Sequence, residues 1–146
     1  MDIQKTKLLF FSFIVVLFSF NAALSQSQLE MNRQACDEYK KADAKLNRTY
    51  QQILSEYKKD ALFIQKMKRA QQAWIIFRDA QIEALYPLEQ NANPNQKYGS
   101  VYPMCNCIAL TQITEKRTEE LKQWIDGTEE GDVCSGSIKT KDEDEQ

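Results

Sequence analysis

The segment ACDEYKKADAKLNRTYQQILSEY, residues 35–57, decides the fold. Ala35, Tyr39, Ala42, Leu46, Tyr50, Ile53 and Tyr57 follow one another at steps of 4, 3, 4, 4, 3 and 4, the spacing that lines one face of an α-helix. A second stripe runs through Phe63, Met67, Ala70, Trp74, Phe77, Gln81, Ala84 and Leu88, with steps alternating between 4 and 3. Between the stripes, Lys58 and Lys59 suit a helix C-terminus and Asp60 suits the N-cap of the next helix. Every Gly and Pro lies at or beyond Pro87, so nothing upstream interrupts long helices.

Pro87 ends the second stripe and opens PLEQNANPNQKYGSVYP, residues 87–103, where Asn91, Asn93, Pro94, Asn95 and Gly99 concentrate turn chemistry. A loop of about fifteen residues between helices is long enough to mark a contact surface. Pro103 fits the first turn of a third helix, whose stripe is Leu110, Ile113, Arg117, Leu121 and Trp124 and whose end is Gly127. The expected fold class is all-α: a small antiparallel three-helix bundle stapled by disulfides, with the long loop between helices two and three and a polar C-terminal tail. At 1.5 Å per residue, helices of roughly 28 residues reach about 40 Å. The first two are expected to form an antiparallel hairpin with the third along their groove. That order brings the start of helix one, the end of helix two and the start of helix three to one pole.

The N-terminus reads differently. Lys5 and Lys7 precede an apolar run from Leu8 to Phe20, too short for a comfortable bilayer span, and Ala23 and Ser25 suit a signal-peptidase site. The expected division is therefore a signal peptide over residues 1–25, a helical domain over 26–135 and an acidic, disordered tail over 136–146, with the mature chain secreted or periplasmic and without a stable membrane anchor. Setting aside Asp2, Lys5 and Lys7 leaves 17 basic and 20 acidic residues, so no overall basic surplus draws nucleic acid or anionic lipid. From Asp126 onward, eight acidic residues face only Lys139 and Lys141.

Four cysteines behind an export signal, Cys36, Cys105, Cys107 and Cys134, imply disulfides, two bridges being the default. Cys36 and the Cys105/Cys107 pair share the predicted pole, and a bridge there closes a loop of about 70 residues, worth on the order of 4 kcal/mol in the chain-entropy estimate. Nine residues extended from Ile125 reach roughly 30 Å, enough to carry Cys134 back to the remaining thiol. Which of Cys105 and Cys107 takes which partner stays open. A Cys105–Cys107 bridge would form a tight, reducible ring and make a thiol–disulfide enzyme.

Catalysis otherwise finds little material. The chain contains no His, hence no ordinary neutral-pH general base, no Ser–His or Cys–His pair and no common zinc knuckle, so neither metal nor cofactor is expected. Glu119 with Glu120, and Glu129 with Glu130, fall on solvated surface. Arg78 and Arg117 fall on or beside apolar stripes, where a guanidinium is satisfied by carboxylate, amide or hydroxyl partners. Asn47, Asp79 and Thr111 are the candidate partners, giving a structural polar network of Asn47, Arg78, Asp79, Thr111 and Arg117. The sequence around Asn47, Asn-Arg-Thr, also matches a glycosylation acceptor in mid-helix.

Four blocks in order, CDEYKKADAKLNRTYQQIL, RAQQAWIIFRDA, YGSVYPMCNCIALTQITEKRTEEL and EEGDVC, resemble the lysozyme-inhibitor LprI-like family of secreted bacterial proteins. The resemblance covers about residues 30–135. It implies a binding protein, with no catalytic residues to carry over. The family pattern places a Cys just after FRDA-x, where this chain has Gln81 and Ile82, and Cys105 stands as an extra cysteine, so the resemblance implies a rewired pairing. An inhibitor of this kind would block a lysozyme cleft sterically, with Tyr98, Gly99, Ser100 and Tyr102 of the long loop as the contacts and the acidic tail steering a cationic partner. Tyr98 and Tyr102 can equally pack over the open end of the bundle. The rival functions are an envelope structural or stress-related interaction protein that leaves lysozyme alone, and the Cys105/Cys107 redox protein.

Overall fold

A computed structural model describes the backbone of residues 3–141 and the side chains of residues 27–141. The signal-peptide reading falls on residues 1–25, whose side chains lie outside the described residues. The fold is all-helical, with α1 (Ile3–Glu56), α2 (Ala61–Leu85), α3 (Pro94–Tyr98) and α4 (Tyr102–Asp126). Among the described residues there is no strand, apart from an isolated parallel bridge between Thr128 and Thr140, and no helix long and apolar enough to cross a membrane.

The helix boundaries follow local chemistry. Asp60 caps α2 by accepting the Phe63 N–H at 2.9 Å, satisfying a donor that has no partner within the helix. Pro87 sits two residues beyond the end of α2, and Pro103 occupies the first turn of α4, where its missing N–H costs nothing. Gly127 ends α4 at φ 73°, a left-handed conformation that glycine adopts without strain. The short α3 was not expected: Asn93 accepts the Asn95 N–H at 2.9 Å and Pro94 follows at its first position, so a single turn of helix forms inside the loop.

The seam between α1 and α4 carries most of the packing, more than the pair of helices one and two. α1 and α4 run parallel. Cys36 is bonded to Cys107 near their starts, with Cα atoms 4.9 Å apart, and the Tyr57 hydroxyl donates to the Trp124 carbonyl at 3.0 Å near their ends. Side-chain size explains the preference: Ala42 and Thr49 on α1 and Thr114 and Thr118 on α4 are buried in this seam, and small residues let two backbones approach closely. α2 runs the other way and joins the core mainly through Phe63, Met67 and Gln71. Leu46, Ile53, Phe63, Met67 and Leu121 form the core cluster, with Trp74 and Trp124 packed against it.

The expected α1 stripe matches the buried face; the α2 stripe slips. Its buried positions are Phe63, Met67 and Gln71, with Trp74, Arg78 and Ile82 half-buried, whereas Ala70, Phe77, Gln81 and Ala84 are exposed. One residue of phase error at Gln71 accounts for this, because an amide was passed over in favour of the adjacent Ala70.

Only one disulfide forms. Cys105, half-buried, and Cys134, exposed, are free thiols, which corrects the expectation of two bridges and excludes the Cys105–Cys107 ring, since Cys107 is bonded to Cys36. Cys105 lies in the first turn of α4 and Cys134 in the tail beyond its end, with about 30 Å of helix between Cys105 and Asp126. The tail does not climb back. Thr128 N–H donates to the Lys139 carbonyl, Lys141 N–H donates to the Thr128 carbonyl, both at 2.9 Å, and the Lys139 N–H reaches the Tyr57 hydroxyl at 3.0 Å. The tail thus closes under the helix ends, and the disorder expected beyond Ser135 does not describe residues 136–141; residues 142–146 lie outside the described residues.

Candidate functional site

The pole that carries the disulfide also carries the loop. Tyr86, at the end of α2, meets Tyr98 edge-on at 5.5 Å and Tyr102 edge-on at 5.3 Å, and Tyr98 stacks on Tyr102 at 5.8 Å. This three-tyrosine cluster ties α2, α3 and α4 together. The Pro87 carbonyl accepts both the Tyr98 hydroxyl at 2.9 Å and the Lys97 ammonium at 2.7 Å. Burial pushes the Tyr86 hydroxyl pKa up, and neighbouring Cys105, Tyr102 and Tyr98 add to the shift. The loop is fastened to α1 as well, because Asn32 donates to the Ser100 carbonyl at 2.9 Å.

Tyr98 and Tyr102 are half-buried and held against each other, while Gly99 and Ser100 between them are exposed. Gly99 has φ 78° and ends α3, and this left-handed turn brings Ser100 within reach of Asn32. Asn91, also left-handed at φ 65°, turns the chain at the exposed outer end of the loop. The four proposed contact residues therefore form one surface: a Gly-Ser tip on a tyrosine base. Asn32, Tyr86 and Lys97 belong to the same construction and were missed. Tyr86 stands directly before the helix-ending Pro87, a signal the sequence did offer; Asn32 lies before the first recognised stripe position and offered none.

The expected polar network is two separate clusters. Arg78, with 16% of its side chain exposed, binds Asp79 through Nε at 2.8 Å and Nη2 at 2.7 Å, reaches the Tyr39 hydroxyl at 3.4 Å and lies 5.6 Å from the centre of the Trp74 ring. The pair stitches α2 to α1. Arg117 donates to the Gln71 amide oxygen at 3.2 Å and pairs with Glu120 at 3.1 Å, stitching α4 to α2. Asn47 joins neither, donating instead to Asp43 on the surface of α1. Thr111 bonds back to the Cys107 carbonyl at 2.8 Å. Beside Arg117 an open groove of about 450 Å³ runs between α2 and α4, lined by Trp74, Phe77, Leu85 and Ile113 among others. Its walls are mainly apolar and hold no converging pair of acids. No group of three potential metal ligands occurs among the described residues.

Comparison with known proteins was consistent with this picture. Residues 21–121 match the family model described as lysozyme inhibitor LprI. A protein of Rhizobium meliloti (strain 1021), described as uncharacterized, is 33% identical over 114 residues, covering 70% of this chain and 77% of the relative. No solved structure matches.

Proposed function

This chain belongs to the lysozyme inhibitor LprI family, and from that premise we propose that it is an exported protein that inhibits a muramidase by lodging its α2–α4 loop in the glycan cleft. The signal peptide over residues 1–25 and the mature start near Gln26 are part of this proposal. The observation that carries it is the preorganisation of the loop. A recognition loop that is already ordered loses less conformational entropy on binding, and here the tyrosine cluster, the Asn32–Ser100 hydrogen bond and the Cys36–Cys107 bridge hold it from three sides. The exposed tip at Gly99 and Ser100, with Asn91 and Asn93 alongside, supplies backbone and amide groups of the kind that pair with polar cleft walls. Tyr98 and Tyr102 act as the tip's base and present their edges.

The acidic tail takes a different part from the one its charge alone implied. Its described portion sits at the opposite pole, about 37 Å away along the 25 residues of α4, several times the Debye length of roughly 8 Å at physiological salt. The acids of this described portion, Asp126, Glu129, Glu130 and Asp132, are too distant to steer a cation onto the loop tip. The test is a turbidity assay in which the chain slows cell-wall clearance by a lysozyme and a version with residues 90–102 replaced by an unrelated loop does not. Unchanged clearance at excess protein would remove the reading.

A further inference from the structure

The outer face of α2 has no role in the fold or in the loop. On the side of the helix turned away from Phe63, Met67 and Gln71, a second stripe runs through Leu62, Lys66, Arg69, Ala73, Ile76 and Ala80, again at steps of 4 and 3, and all six residues are exposed. Leu62 is 64% exposed and Ile76 71%, with Phe77 beside it at 55%. Leu62 and Ile76 stand about 21 Å apart along this face with Lys66, Arg69 and Ala73 between them, so apolar and basic side chains share one exposed helix side.

The charge on this helix is equally one-sided. Between Ala61 and Phe77 there are Lys66, Lys68 and Arg69 and not one acid, and Lys58 and Lys59 stand just before. Among the described residues, six of the eight lysines elsewhere pair with a carboxylate, for example Lys40 with Asp37, Lys41 with Glu38 and Lys122 with Glu119, and only Lys97 and Lys116 do not. Among the described residues, none of Lys58, Lys59, Lys66, Lys68 and Arg69 has a carboxylate partner. The near-neutral total of the chain hides this, because the acids collect on α1, α4 and the tail.

We propose that this face of α2 lies flat on an anionic bilayer surface. Leu62 and Ile76 enter the boundary between headgroups and acyl chains, while Lys66 and Arg69 extend to lipid phosphates and the turn at Lys58 and Lys59 adds to the attraction. The mixture decides the occupant. A soluble polyanion would use the cations and leave the apolar residues in water. A second copy of the chain would bring two cationic stripes together with no acid between them.

Lysine acetylation footprinting of the full chain tests this, because it reads position. With vesicles rich in phosphatidylglycerol, acetylation of Lys66 is expected to slow several-fold, to recover on adding salt and to remain unchanged with phosphatidylcholine vesicles. Lys40 and Lys41, on another helix, serve as internal controls. Each cation near an anionic surface contributes about a fivefold factor, so Arg69→Gln should raise the lipid needed for half-protection of Lys66 by that factor. Equal protection by both lipids, equal slowing at Lys40 and Lys41, or no slowing overturns the proposal. So does protection that grows with protein concentration in the absence of lipid, which would identify a second copy as the occupant.

Discussion

The seam between α1 and α4 and the outer half of α2 are built from the same repeating step, yet one is closed and the other open. Along the seam Ala42, Leu46, Thr49 and Ile53 face Cys107, Thr114, Thr118 and Leu121, and all eight are buried. Beyond Gln71, α2 has half-buried Trp74, Arg78 and Ile82 on its inner side, Phe77 exposed at the groove edge and Ile76 exposed on the outer side. Side-chain bulk accounts for the difference. Small residues and a disulfide draw α4 onto α1, whereas the far half of α2 is joined by the longer side chains of Arg78 and Arg117 and leaves an open groove lined by Trp74. The closed region supplies stability and the open one supplies surface.

The comparison breaks most severely at the disulfide. Replacing Cys107 with Ser, with Cys105 also made Ser to prevent re-pairing, removes a closure spanning 71 residues. It should cost about 4 kcal/mol in chemical denaturation. Core truncation comes next: Ile53→Ala, at a fully buried seam position, should cost about 3 kcal/mol. Ile76→Ser on the open face should fall within about 0.5 kcal/mol of the parent, and a large loss there would mean that the outer face of α2 is buried after all.

A fourth prediction concerns the tail pole. A Cβ on Gly127 would stand 2.9 Å from the Lys139 carbonyl and sit on a residue at φ 73°. Gly127→Ala should therefore cost more than about 1 kcal/mol and release the tail, which changes Trp124 emission because the indole N–H donates to Ser137 at 3.2 Å. Lowering the pH should act on the same contact. The Lys139 ammonium, hydrogen-bonded to Glu56, holds that carboxyl below its ordinary range, with Gln52 assisting. A carboxyl with a depressed folded pKa adds stability above its unfolded value and loses it as the pH falls through the folded one, so the tail stays docked at neutral pH and loosens in acid.

One effect runs in the opposite direction. Thr114 is fully buried and its hydroxyl has no partner, while the Thr118 hydroxyl donates to the Thr114 carbonyl at 3.0 Å. Thr114→Val keeps the shape and removes an unsatisfied polar group, so it should stabilise the chain by about 1 kcal/mol. Thr118→Val, which breaks a made hydrogen bond, should not.

The same contrast shows what the sequence could convey. The α1 stripe was legible because its buried positions are apolar and evenly stepped, and Asp60, Pro103 and Gly127 marked helix ends by chemistry that is local. The buried positions of α4 were harder to read, since Thr114 and Thr118 look like surface residues until a neighbouring helix comes close enough to require small side chains. Gln71 misled the phase of α2 for a related reason: an amide buried against Arg117 carries no hydrophobic signal. The loop was visible as a loop, but its tyrosine cluster joins residues 86, 98 and 102 through a turn that composition does not specify. Cysteine count implied two bridges, and only the placement of Cys105 in the first turn of α4 and of Cys134 beyond its end shows why one forms.

The most direct measurement of the central claim is steady-state hydrolysis of a soluble chitooligosaccharide by a muramidase at rising concentrations of the oxidised chain. If the loop occupies the glycan cleft, apparent KM climbs in proportion to added protein while kcat holds constant, and the chain lacking its 90–102 loop sequence has no effect. Rates that stay the same throughout, or a kcat that falls at constant KM, would contradict it.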